Sequence, residues 1–307
     1  MNRPLPRTLS AAELDLRARE GTEAFVRERF ANERSTSAAY HRFFEQARHA
    51  AERALSETND LLDLRKSGKP LLEEGLLYVL RAMDRPTVSE DDFKSLSDAG
   101  TTSRTRFKDG ALAGSALEYL SRNLNMDVLP WIEDGRSPRG DERKAACIAV
   151  AALIADQRTK TALRGNSSHS QEEDVRRALV ERCGMESIAN HDFDIAKDGP
   201  LPGQVFAGET RVAGSKADVV LGLYDGRLMC LECKVSNSEV NSYKRLNHET
   251  LDKVTKWRVA FGRQCVSGAV LQGCYKTKNL IDAQEAGAFL FWSSHLEELE
   301  EFVNSTK

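Results

Sequence analysis

Two carboxylates and one ammonium group carry the most suggestive chemistry of this 307-residue chain. They fall in segment 217–234, where Asp225-Gly226 separates two runs of alternating apolar residues. An Asp-Gly pair in that setting signals a β-hairpin, and its loop length decides which side chains share a face. With Tyr224, Asp225 and Gly226 as the loop and Gly226 left-handed, Leu223 pairs with Arg227 and Asp218 comes to lie opposite Glu232. One face then holds Ala217, Val219, Leu221, Leu223, Met229, Leu231 and Cys233, with only Arg227 polar at the tip. The other gathers Asp218, Glu232 and Lys234 beside Val220, Gly222, Leu228 and Cys230. A two-residue loop would move Glu232 onto the Val219/Leu221 face, so apolar segregation favours the longer loop.

Adjacent carboxylates repel unless a cation lies between them. Oxygen ligands at an open site suit Mg²⁺, which retains waters and accepts phosphate oxygens. A divalent ion so held acidifies a bound water and stabilises charge on a phosphoryl group. Lys234, two residues beyond Glu232, could hold the attacking water and offset developing negative charge. The constellation is chemically suited to metal-dependent phosphodiester hydrolysis.

The elements that must position these groups are readable along the chain. Up to residue 165 the pattern is helix after helix: a stretch from the cap Ser10 to about 33, another from about 36 to 56, one at 71–83 opened by Pro70, a capping box at Ser89/Asp92, and an apolar helix at 144–155. Residues 164–168 read as a linker or a helix cap. Helix 171–183 carries Val175, Leu179 and Cys183 on one stripe and ends at Gly184. Strands follow near 204–212, 217–223 and 227–235, then a helix at 249–261, strands at 266–271 and 288–292, and a last helix capped by Ser294. The expectation is an all-α N-terminal domain (1–165), serving DNA contact or dimerisation, followed by an α/β catalytic domain (166–307).

Composition narrows the class. With 44 Lys+Arg, 47 Asp+Glu and a net charge of −3, the chain is no uniform polycation, though 136–164 and 234–263 each carry excess positive charge. Eight Pro and 20 Gly exclude collagen-like and low-complexity classes. The longest apolar run, 145–155, is too short to span a bilayer, and Met1 to Arg7 shows no signal-peptide core, so a cytoplasmic protein without membrane association is expected. The six cysteines are expected to be reduced thiols. Cys230 and Cys233 do not make half a zinc site, because residues three apart on a strand point to opposite faces. The glycines before Lys216 lack P-loop spacing.

Asp218, thirteen intervening residues, then Glu232-Cys233-Lys234 resembles the PD-(D/E)xK nuclease superfamily, over roughly 171–275. The family's proline before the aspartate is Ala217 here. The resemblance implies a restriction-endonuclease-like αβββαβ core with a mixed sheet. It implies Asp218 and Glu232 as catalytic metal ligands, the backbone carbonyl of Cys233 as a third ligand, Lys234 as the catalytic lysine and Mg²⁺ as cofactor. The core helix of the family often adds an acidic residue. Glu172, three before Val175, is the candidate for that place, although an acidic residue at the start of a helix more commonly serves the helix dipole. The segment after Lys234 looks like that of type II restriction endonucleases, particularly the XamI-like group. Ser236, Asn237, Ser238, Asn241, Ser242, Lys244, Arg245 and Asn247 there offer bidentate partners for bases and donors for phosphates, the alternative being a polar loop.

These readings converge on Mg²⁺-dependent cleavage of double-stranded DNA at a short specific sequence, by a homodimer matching a palindromic site. Two rivals use the same residues: a repair or recombination nuclease reading DNA structure, and a non-catalytic DNA-binding protein. The second has no use for carboxylates facing phosphates. A third, a helical interaction protein, applies to residues 1–165.

Overall fold

Apolar periodicity builds three buried clusters, one in a helical unit and one on each face of a sheet. The computed structural model describes residues 3–307, apart from the side chains of Arg164, Asn166, Ser167, Ser168, Asn241, Lys244 and Arg245. The chain divides into one unit of residues 34–163 and another that joins residues up to 33 with 164–307. The first helix, read from the sequence as part of the N-terminal domain, falls in the unit that contains the sheet.

That helix, α1 (Ala11–Ala31), starts at a complete capping box between Ser10 and Glu13. Its Leu14 and Ala18 are buried in the same cluster as residues of the sheet. The 34–163 unit contains α2 (Glu33–Glu57), short helices α3 (Leu64–Ser67), α4 (Lys69–Glu73), α5 (Leu77–Arg81) and α6 (Glu90–Leu96), then α7 (Gly110–Arg122). The expected helix 71–83 is broken into α4 and α5, with Gly75 between them at φ +86°. Ser89 caps α6 by accepting from the Asp92 amide. Leu55, Leu71, Leu80, Phe93, Leu120 and Trp131 are among the side chains of this unit's core.

Helix α8 (Gly140–Glu181) runs unbroken through 164–168, where a linker or a helix cap was expected. Weak helix formers there are tolerated because each costs at most about 1 kcal/mol, while Val150, Ile154, Val175 and Leu179 on either side are buried. Beyond it come β1 (Glu186–Ile188), β2 (Gln204–Phe206), β3 (Thr210–Val212), β4 (Ser215–Ala217), β5 (Val219–Gly222) and β6 (Leu228–Ser236). Then follow α9 (Glu239–Tyr243), a π-helical stretch at Lys244–Thr250, α10 (Leu251–Phe261), β7 (Cys265–Gly273), α11 (Thr277–Glu285), β8 (Phe289–Trp292) and α12 (Glu297–Asn304).

Six strands form a mixed sheet in the order β1-β2-β5-β6-β7-β8. β5 runs antiparallel to both of its neighbours, β2 and β6, while β6, β7 and β8 run parallel. The order α8, β2, β5, β6, α10, β7 is the expected αβββαβ core, with β1 and β8 added at its edges. The expected strand 204–212 is two strands, since β3 leaves the sheet to pair with β4. One face of the sheet packs Val220, Leu228, Cys230, Ala269 and Trp292 against Val254, Trp257 and Leu280. The opposite face packs Val219, Leu221, Met229, Leu231 and Val270 against Val175, Leu179, Leu299 and Phe302. Ser294, expected to cap α12, instead contacts the His295 ring nitrogen Nδ1 at 3.0 Å. Among the described residues, no helix is long and apolar enough to cross a membrane.

Candidate active site

The hairpin has the register that apolar segregation requires. Val219 pairs with Leu231 and Gly222 with Leu228, and the Leu223 amide donates to the Arg227 carbonyl at 2.7 Å. Gly226 closes the turn at φ +84°, a conformation that glycine adopts without steric cost. Continuing this register brings Asp218 and Glu232 together where β5 begins. Arg227 at the tip is itself buried, held by Asp225 at 2.6 Å.

Asp218, Glu232 and Lys234 converge. Lys234 Nζ lies 2.7 Å from Glu232 Oε2 and 3.3 Å from Asp218 Oδ2. The Cys233 amide N–H donates to Asp218 Oδ2 at 2.7 Å, so Cys233 enters the site through its backbone, while its side chain packs with the α8-side core. Tyr275 donates its hydroxyl to the Lys234 carbonyl at 2.7 Å, fixing the strand at the lysine. Glu232 is 0% exposed and Asp218 8%. Burial pushes the Glu232 carboxyl above the usual carboxylate range, against the pull of Lys234. Burial by itself would lower Lys234, but Glu232 and Asp218 outweigh it and hold the ammonium well above the ordinary lysine value.

Glu172, from α8, joins the group at its edge. Burial and the negative charge of Asp218 both raise its carboxyl, and Arg176, one turn later, lies 3.1 Å from Glu172 Oε2. Arg176 also donates to the Asp218 carbonyl. Lys253, from α10, reaches the far side of Glu232, with Nζ 2.8 Å from Oε1 and 2.7 Å from Oε2. Neither Arg176 nor Lys253 was singled out in the sequence. Arg176 was signalled by its i,i+4 spacing from Glu172. Lys253 precedes buried Val254, four residues before buried Trp257, which places it at the rim of that helix's inward face.

The polar segment after Lys234 divides by exposure. Ser236 and Ser242 are buried and turn inward. Ser236 donates to the Ser238 carbonyl at 2.8 Å, and Ser242 donates to the Glu239 carbonyl while accepting from Asn279 at 3.0 Å. These two hydroxyls hold the turn into α9 rather than presenting donors to a ligand. Asn237 is exposed and accepts from Arg29 at 3.4 Å. Ser238 and Asn247 are half-buried. The side chains of Asn241, Lys244 and Arg245 lie outside the described residues.

The donor set suits a hard divalent cation. Its ligating atoms are oxygens, and its carboxylates already draw ammonium groups to 2.7 Å. Among the described residues no group of three His, Cys, Asp or Glu side chains forms a ready metal cage, so an ion here would complete its shell with water, backbone or phosphate oxygen. The site lies toward the C-terminal ends of β6 and β7. A cavity of about 1180 Å³, lined by Arg3, Arg227, Arg258 and Arg263 among others, opens near the start of β7. Glu172, Asp218, Glu232, Lys234 and Lys253 are not among the residues lining that cavity.

No solved structure matches this chain significantly. The chain is 36% identical over 189 residues to the type II restriction enzyme XamI of Xanthomonas campestris pv. amaranthicola, an alignment covering 61% of this chain and 68% of that relative. The family model for the XamI restriction endonuclease matches residues 63–292, a span containing Glu172, Asp218, Glu232, Lys234 and Lys253. With well over half of its length matched, the chain belongs to the XamI restriction endonuclease family.

Proposed function

We propose that this protein is a type II restriction endonuclease of the PD-(D/E)xK kind, which cuts double-stranded DNA at a short specific sequence with Mg²⁺ as cofactor. The observation that carries this reading is the contact of Asp218 and Glu232 with Lys234 at the head of the β5–β6 hairpin. Family membership supports the same reading. Asp218 and Glu232 would hold the metal, with the Cys233 carbonyl as a third ligand and Glu172 available at the edge. The bound ion would supply Lewis-acid activation of a water and stabilise charge on the phosphate. Lys234, kept cationic by its two carboxylate neighbours, positions that water and offsets charge developing on the phosphoryl oxygens. Burial of Glu232 and the apolar flanks of β6 exclude bulk solvent behind the reacting phosphate.

Asn237, Ser238, Asn241, Lys244, Arg245 and Asn247 form the proposed DNA-contacting segment, and the 34–163 unit adds DNA contact, dimerisation or both. A homodimer matches a palindromic target by symmetry. Digestion of sequenced phage DNA with Mg²⁺ tests the reading: a discrete ladder of fragments, abolished by chelator, is expected. Smearing, or cutting confined to branches and mismatches, would transfer the assignment to a structure-specific nuclease. Tight binding without any cutting would leave a DNA-binding protein.

A further inference from the structure

Glu232 is held by two ammonium groups, and they are not equivalent. Lys234 lies on the same strand, touches Asp218 as well as Glu232, and has its backbone carbonyl held by Tyr275. Lys253 comes from the first turn of α10, directly after the π-helical stretch Lys244–Thr250. Its contacts here are both to Glu232, one to each carboxylate oxygen, at 2.8 and 2.7 Å. Its side chain is 26% exposed against 15% for Lys234. Lys253 thus spans the carboxylate edge with which Glu232 would grip a metal ion, and it has solvent to retreat into.

The charges of the cluster also balance. Three carboxylates, Glu172, Asp218 and Glu232, face three cations, Arg176, Lys234 and Lys253. The neighbouring Glu209, which also bears on Glu172, is matched by Lys216 at 2.6 Å. Adding a divalent ion would leave two uncompensated positive charges in a largely buried site, where like charges interact strongly. Expelling Lys253 removes one of these charges and a DNA phosphate offsets the other, so the two together restore the balance.

Resting on the nuclease reading, we infer that Lys253 is a built-in counter-cation that competes with the metal for Glu232 and yields its place when DNA is bound. It is a positioning residue: in the free protein it holds Glu232 ready and keeps the site from loading metal without substrate. Freed from Glu232, its ammonium becomes available to the incoming phosphate. A nuclease gated in this way gains metal affinity from its substrate.

The experiment titrates Mn²⁺, a paramagnetic substitute for Mg²⁺, into the DNA-free protein and reads unbound Mn²⁺ by electron paramagnetic resonance. Lys253→Met removes the charge and keeps the side chain's length. It is expected to bind Mn²⁺ about tenfold or more tightly than wild type. The gain should vanish in the Lys253→Met/Asp218→Asn double variant, and Lys253→Arg should bind like wild type. Circular dichroism establishes that each variant is folded. Equal or weaker binding by Lys253→Met would overturn the inference while leaving the nuclease reading intact. Absence of binding by every variant, together with no DNA cleavage by wild type in Mg²⁺ or Mn²⁺, would overturn both. If cleavage persists without any measurable binding by Lys253→Met, the competing role of Lys253 alone falls.

Discussion

Lys234 is the side chain on which the proposed chemistry converges, because among the described residues it alone contacts both hairpin carboxylates through its side chain. Lys234→Ala and Asp218→Asn should each lower cleavage of plasmid DNA by about a thousandfold or more, while DNA binding in Ca²⁺, followed by gel shift, persists. Undiminished cutting by either variant would remove both residues from the proposed machinery. Glu172 poses a finer question, since it pairs with Arg176 and also feels Asp218. If it contributes to the metal site, Glu172→Gln should raise the Mg²⁺ concentration required for half-maximal cleavage several-fold. If it only serves its helix, it should shift the melting temperature and leave that requirement unchanged. The triad was legible because strand alternation and an Asp-Gly turn fix which side chains share a face. Lys253 was not, because its contact with Glu232 depends on how α10 crosses the sheet. That crossing is set by packing, which no local pattern encodes.

At the scale of elements, the sheet's centre could be read from the sequence and its margins could not. Strands β5, β6 and β7 came through because apolar residues recur through them at strand spacing between turn residues. The stretch 204–212 read as one strand, but β2 and β3 pair with different partners, and Ala213 and Gly214, at φ +47° and +75°, turn the chain back into β4. The end of β7 offers a test of how tightly elements constrain the site. Gly273 adopts φ +97°, and a Cβ there would lie 2.1 Å from the Ser236 carbonyl oxygen. Ser236 is two residues beyond Lys234 and its carbonyl accepts from the Cys274 amide at 2.8 Å. Gly273→Ala therefore combines strain with displacement of the active strand's end. It should destabilise the protein by about 2–4 kcal/mol in urea titrations and reduce cleavage in the fraction that remains folded. A variant with wild-type stability and activity would mean that β6 and β7 can separate at this end without consequence.

The molecule as a whole folds as two units with three buried apolar clusters, and its tolerance of pH is set partly by a residue far along the chain from the proposed chemistry. Asp84, in the 34–163 unit, is 2% exposed, and neither carboxylate oxygen has a hydrogen-bond partner among the described residues. Burial pushes its carboxyl up to about 8, only partly opposed by Arg81. The ordinary value, 3.8, applies to the unfolded chain, so between these limits the folded unit retains a proton that the unfolded chain has lost. Stability must then fall as pH rises from about 4 to 8, and level off above that range. Glu142 in the same unit acts in the opposite sense. Arg136 and the Arg139 amide hold it down to about 2, so its contribution is present above its ordinary value of 4.5 and is lost as the pH falls toward 2. Stability of the helical unit is therefore expected to peak on the mildly acidic side. Asp84→Asn keeps the shape and removes the charge. It should match wild type near pH 5 and exceed it by roughly 2–4 kcal/mol near pH 8. Denaturant titrations at the two pH values check this, read by fluorescence of Trp131, which is buried in this unit's core. Parallel pH curves for wild type and Asp84→Asn would mean that Asp84 stays ionised when folded, through a partner that compensates its buried charge.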